Sequence, residues 1–129
     1  MMKKVNPKFR HHIKSVAGDC MLPGLGLSEE DRRALVENVN IVFHMAATVR
    51  FDEKLKVAMQ INVKAARDIM LLCKEMHNLK SILHVSTAYT QCPLRRIDEK
   101  FYRPPSDSNN LILLTECTPD NLLENMTPM

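Results

Sequence analysis

Four kinds of side chain in this sequence sit where chemistry could be done. Ser86 follows the apolar run Ile82-Leu83-His84-Val85. A hydroxyl at the carboxyl end of such a run either bonds the next turn or stands where doubly wound enzymes place reacting groups. Asn62 interrupts an otherwise apolar helical face, so its amide must find partners or cost about 1 to 3 kcal/mol. It can tie down backbone, or it can order a water for proton relay. Asp19 comes directly after Gly18, where a carboxylate can accept from an adenine amino group or cap a turn. His44 and His84 each precede a small-residue tip by two positions. No third ligand lies at useful spacing, which favours hydrogen-bonded core histidines over a metal pair.

The elements that must position these groups can be read outward from Asn40 to Glu53. Asn-Ile-Val-Phe-His-Met-Ala-Ala is apolar and partly β-branched, then shrinks to Ala46 and Ala47 before the polar turn Thr48-Val49-Arg50-Phe51-Asp52-Glu53. Large side chains pack between layers, and two alanines at a strand tip let a flat ligand approach the backbone. A strand is expected at 41–46. Leu55, Met59, Val63, Ala66, Met70 and Cys73 recur at steps of three and four, predicting one long helix at 53–76. A second strand is expected at 81–86. Strand, long helix and strand in this order make a parallel βαβ unit.

Upstream, polar and apolar residues alternate over 12–17 and predict a strand ending at Gly18-Asp19. Pro23-Gly24-Leu25-Gly26 makes a loop, and Ser28-Glu29-Glu30-Asp31 opens a helix at 28–38 with a capping serine and three acids. Ala34, Leu35 and Val39 are expected to face inward. Downstream, 91–105 is a proline-bearing loop, 110–117 an apolar turn of undetermined type, and Thr118-Pro119-Asp120 a helix start.

Composition narrows the classes. With 45% hydrophobic and 26% charged residues, the 129-residue chain is globular and holds one domain. A net charge of +3, with basic and acidic residues interspersed, gives no support to nucleic-acid binding. No signal-peptide core or membrane-length apolar run is present, so an intracellular chain without a membrane segment is expected. Cysteines 20, 73, 92 and 117 form no Cys-x-x-Cys pair and read as reduced packing thiols. Only three glycines occur, and Gly24-Leu25-Gly26 is not a dinucleotide fingerprint, because the third glycine position is Glu29.

Gly18-Asp19, Leu25-Gly26-Leu27-Ser28, the string Val42 to Glu53, Ile61-Asn62-Val63 and His84-Val85-Ser86-Thr87-Ala88-Tyr89 occur in one order. Together they resemble the amino-terminal domain of fatty acyl-CoA reductases, members of the extended short-chain dehydrogenase/reductase group, over about 6–128. The string Ala-Ala-Thr-Val-Arg-Phe-Asp-Glu is the specific part. The resemblance implies an incomplete Rossmann-like α/β fold, a doubly wound parallel sheet, spanning 1–129. It implies NADPH as cofactor and long-chain fatty acyl-CoA as substrate, reduced through the aldehyde to a fatty alcohol. Asp19 would contact the adenine, Ala46, Ala47 and Thr48 would line the cofactor, Asn62 would support the catalytic site, and Ser86 would hydrogen-bond the substrate carbonyl oxygen. Family members commonly sit on peroxisomal or endoplasmic-reticulum membranes.

The family's glycine-rich phosphate turn and its Tyr-x-x-x-Lys are not in these 129 residues, and neither Tyr89 nor Tyr102 replaces the latter. Without that acid, hydride transfer leaves an alkoxide with no proton donor, so the chain alone is expected to lack turnover. The family's Asn-Val-x-Gly-Thr reads Asn62-Val63-Lys64-Ala65-Ala66. In a sheet of order 3-2-1-4-5-6 the three strands here would be numbers 3, 4 and 5. The strands at 41–46 and 81–86 are therefore expected to pair in parallel, leaving 12–17 unpaired or docked irregularly. A non-catalytic nucleotide-binding module, a sterol dehydrogenase and a thioester reductase are the alternatives.

Overall fold

A computed structural model describes residues 9–126. Helix α1 (Glu29–Asn38) starts where the acids predict. Ser28 Oγ accepts from the Asp31 amide at 3.1 Å and donates to the Asp31 carboxylate at 2.8 Å, so the cap is reciprocal. Strand β1 (Ile41–His44) follows, then α2 (Leu55–Met59), a π-helical turn (Gln60–Lys64), α3 (Ala65–Glu75) and strand β2 (Ser81–His84). Helices α4 (Ser108–Cys117) and α5 (Asp120–Met126) complete the described chain.

β1 and β2 form a two-stranded parallel sheet in the register Ile41↔Ser81 to His44↔His84. Bonds continue the ladder at each end, from Lys80 N and Ser81 N to Asn40 O at 2.7 and 3.4 Å and from Val85 N to His44 O at 2.9 Å. Both strands are shorter than expected, ending at His44 and His84, two residues before Ala46 and Ser86. The protein is thus α/β, with a partial Rossmann-like βαβ unit.

The strand expected at 12–17 is not formed. Phe9–His12 is a 3₁₀ turn and 13–19 has no regular structure. Alternation gives a segment one apolar face, but a strand also needs a neighbouring ladder, and the described sheet offers that segment none. The absence of pairing between 12–17 and 41–46 agrees with expectation.

The long helix begins at Leu55, two residues later than expected, and it is not uniform. The Ala65 amide bonds Gln60 O, five residues back, so the turn at 60–64 holds one residue more than an α-turn. That residue changes the phase of the apolar face. Ala65 (1% exposed), Leu72 (3%), Cys73 and Met59 are the buried positions, whereas Met70, expected inward, is exposed. The segment at 110–117 lies in α4, an α-helix capped by Asp107 Oδ1 on the Asn109 amide at 2.8 Å.

The core gathers Leu25, Ala65 and Leu72, with Cys20, Leu27, Leu35, Val36, Ile69 and Met76 packed around them. Leu35 thus reaches the core as expected. Leu25 enters it from a left-handed turn, with φ of 62°, 65° and 59° at Gly24, Leu25 and Gly26. Glycine adopts such angles freely, but a leucine there costs of order 1 kcal/mol, which its burial offsets. Arg32 grips Glu75 through two bonds of 2.6 and 2.7 Å, tying α1 to α3. Lys64 pairs with Glu116 and Lys56 with Asp120, tying the π-turn to α4 and α2 to α5. All four cysteines are free. Among the described residues no helix is long and apolar enough to cross a membrane, and no cluster of three metal-ligating side chains occurs.

Candidate functional site at the strand tips

The carboxyl ends of β1 and β2 lie side by side because the strands are parallel and in register. Ala46 and Ala47 leave β1 exposed, and Thr48 is half-buried. Asn62 holds the chain there with both ends of its amide. The Thr48 N–H donates to Asn62 Oδ1 at 2.9 Å, and Asn62 Nδ2 donates to Thr48 O at 3.3 Å. The π-turn carries Asn62 toward Thr48 while α3 keeps its own apolar side on the core. Of the two uses open to this amide, the structure displays the gripping of backbone.

After Thr48, Arg50 and Asp52 form an exposed ion pair at 3.2 Å. The Arg50 bond holds the Asp52 carboxyl below its ordinary pKa. Phe51 is 90% exposed, yet it meets Tyr89 edge-on, with ring centroids 5.8 Å apart at 89°. That contact joins the turn after β1 to the turn after β2. Neither ring's partner can be read from the sequence, because nothing in 41–53 specifies contact with 89.

Ser86 is exposed, and its Oγ lies 3.1 Å from Thr90 Oγ1. Thr90 donates its only hydroxyl proton to Thr87 O at 2.7 Å. Thr90 must therefore accept, and Ser86 must donate. The proton of Ser86 is thus directed along its own turn. The partnership of Ser86 with Thr90 has a sequence signal, hydroxyls four residues apart in Ser-Thr-Ala-Tyr-Thr, that a search for strand-end nucleophiles passes over.

Asp19 opens the left-handed turn. Its Oδ1 accepts from the Met21 amide at 2.8 Å, its N–H bonds Leu25 O at 2.7 Å, and its O accepts from Leu22 N at 3.0 Å. It caps the turn, and Oδ2 is the oxygen outside that bond. Gly24 N donates to Asp68 Oδ2 at 3.0 Å, fastening the turn to α3. A Cβ on Gly18 would meet Leu25 O at 3.0 Å, a tight contact that glycine avoids.

Behind the tips, on the helix-facing side of the sheet, His44 and His84 meet with their Nδ1 atoms 2.8 Å apart. Beside them opens a cleft of about 440 Å³, lined by both imidazoles, Arg67, Met70, Ile82 and Ile112 among others. The register makes the two histidines neighbours, with His44 buried as a core histidine and His84 exposed, so the core expectation holds for His44 and fails for His84. On the opposite side of the sheet Ile41, Phe43, Met45, Leu83 and Val85 are exposed.

A nicotinamide dinucleotide fits this ground in part. The exposed Ala46 and Ala47 leave backbone open to a flat ring, and Asp19 Oδ2 can accept from an exocyclic amine. The phosphates find no glycine-rich turn among the described residues.

The sequence matches the family model described as male sterility protein, an NAD-binding domain, over residues 1–127. Fatty acyl-CoA reductase wat of Drosophila melanogaster is 51% identical over 127 residues, 98% of this chain and 25% of that protein. Fatty acyl-CoA reductases 1 and 2 of Homo sapiens are 44% and 37% identical over the same shares. The chain thus spans about a quarter of the length of these curated relatives. A match over nearly every residue, with the Thr48–Asn62 clamp and paired tips falling inside it, means that the chain belongs to the male sterility protein family of NAD-binding domains, to which it is joined through the fatty acyl-CoA reductases.

Proposed function

We propose that residues 1–129 form part of the NADPH-binding Rossmann domain of an alcohol-forming fatty acyl-CoA reductase acting on long-chain acyl-CoA. The observation that carries this reading is the 51% identity to a fatty acyl-CoA reductase across 98% of the chain. Bound NADPH would supply hydride to the acyl carbonyl. Ala46 and Ala47 would lie against the cofactor, with Thr48 fixed beside them by Asn62. Asp19 would offer Oδ2 to the adenine amino group while Oδ1 stays on Met21. Ser86 would turn its hydroxyl from Thr90 to the carbonyl oxygen and stabilise the negative charge developing there. The tyrosine acid and its lysine are not supplied by this sequence, so these residues orient substrate and hold charge without completing proton transfer.

An exchange experiment tests the proposal. Residues 1–127 replace the matching segment of the Drosophila relative, and NADPH oxidation is followed with a long-chain acyl-CoA. The exchanged enzyme is expected to make fatty alcohol, and Ser86→Ala to lower kcat by roughly a hundredfold, the loss of one oxyanion donor. A folded exchange protein that binds NADPH but leaves acyl-CoA unreduced would refute the assignment. The 129-residue chain alone, titrated by NADPH fluorescence, is expected to bind no tighter than about 1 mM, near −4 kcal/mol.

A further inference from the structure

The strand tips rest on two imidazoles that the proposed reaction does not use. His44 and His84 are register partners in β1 and β2, with Nδ1 atoms 2.8 Å apart and ring centroids 4.9 Å apart. At that distance one nitrogen carries a proton and the other a lone pair. His44 is 6% exposed, and its Nε2 is buried with no hydrogen-bond partner. An orphaned buried N–H is rarer in folded proteins than an under-used acceptor. The shared proton therefore belongs on His44 Nδ1, His44 Nε2 is a bare lone pair, and the exposed His84 carries its own proton on Nε2.

From this geometry we infer that His44 and His84 form a one-proton latch between β1 and β2, closed while both rings are neutral and weakened by one further proton, which puts an N–H on the buried, unpartnered His44 Nε2. Wherever one further proton enters the pair, a hydrogen stays between the Nδ1 atoms only if His44 Nε2 carries one as well, and there no acceptor waits. The surroundings do not compensate that buried N–H. Arg67 of α3 lines the same cleft, α4 contributes Ser108 and Asn109, and no carboxylate lines it. Asp68, next to Arg67, spends its oxygens on Arg67 and on the Gly24 amide.

Burial, and after it the charge of His84, lowers the pKa of His44 from the ordinary 6.5. The unfolded chain then binds this proton more readily than the folded one. Stability contributed by the neutral pair is complete above 6.5 and is lost as pH falls below that value toward the depressed pKa of the folded state. The part of the molecule that loosens is the support of Ala46, Ala47 and Ser86, each two or three residues beyond an imidazole. The latch follows from the fold and does not depend on the reductase reading.

The test uses the 129-residue chain. Nitrogen-15 spectra of the imidazoles at pH 7.5 are expected to show His44 protonated at Nδ1 and bare at Nε2. The Val85 amide, bonded to His44 O, reports the latch. Its hydrogen-exchange protection factor is expected to fall by up to about tenfold per pH unit below 6.5, the limit for one linked proton. The double variant His44→Gln/His84→Gln should make that protection flat between pH 7.5 and 5. An unchanged fall in the double variant would overturn the latch. So would a His44 protonated at Nε2, or imidazoles titrating independently at the ordinary value; these spectra of the unmutated chain decide the matter even if the double variant fails to fold.

Discussion

After β1 the chain at Thr48 is gripped by Asn62, fourteen residues on and in another element, whereas after β2 the chain from Ser86 to Thr90 is bonded within itself. The first tip inherits its position from the core through the π-turn and α3. The second has the conformation of a local turn, which solvent competes for and which Phe51 touches from one side. One tip is thus a fixed wall and the other a locally bonded turn, a division that suits the roles proposed for Ala46 and Ala47 on one side and Ser86 on the other.

The largest break in this comparison comes from the shared scaffold. Leu72→Ala empties a buried site against Leu25 and Ala65 and is expected to lower unfolding free energy by about 2 to 5 kcal/mol in urea titration, weakening the support of both tips. Asn62→Ala should act on the first tip alone. It removes both bonds to Thr48 and is expected to cost about 1 kcal/mol, with faster exchange of the Thr48 amide and unchanged exchange from Ser86 to Thr90. Asn62→Asp keeps the acceptor for Thr48 N and should restore part of the loss. Thr90→Val should act on the second tip alone, releasing the Ser86 proton and changing stability by less than about 0.5 kcal/mol. Arg50→Gln is expected to leave the melting temperature unchanged, since the Arg50–Asp52 pair is largely exposed and screened by salt.

Much of this arrangement is legible in the residues, and the limits have physical causes. Ser28 with three following acids marks the start of α1 within one residue, because capping is a local interaction. The parallel pairing of β1 with β2 follows from two apolar runs separated by a long helix. By contrast, the alternation at 12–17 has no strand beside it, and alternation by itself cannot supply the ladder. The apolar segment at 110–117 lacks a clear periodic face, so its helix shows in the Asp107 cap more than in its hydrophobic pattern. Asn62 stands out as a polar residue in an apolar face, but its partner is a backbone group, and backbone groups leave no mark in sequence. Asp19 shows the same limit: both of its possible uses ask for a carboxylate after glycine, and the bond to Met21 distinguishes one of them only in three dimensions.

The π-turn at Gln60–Lys64 turns residue number itself into a constraint. An in-frame deletion of one codon there would let the helix close as a regular α-helix, and the two halves would rotate by about 100° relative to each other. Asn62 could then reach Thr48, or Ala65 and Leu72 could reach Leu25, but the helix could not present both. Many substitutions at solvent-facing positions of this stretch should be tolerated, while losing a single residue of any kind should disconnect the wall of the site from the core that aims it.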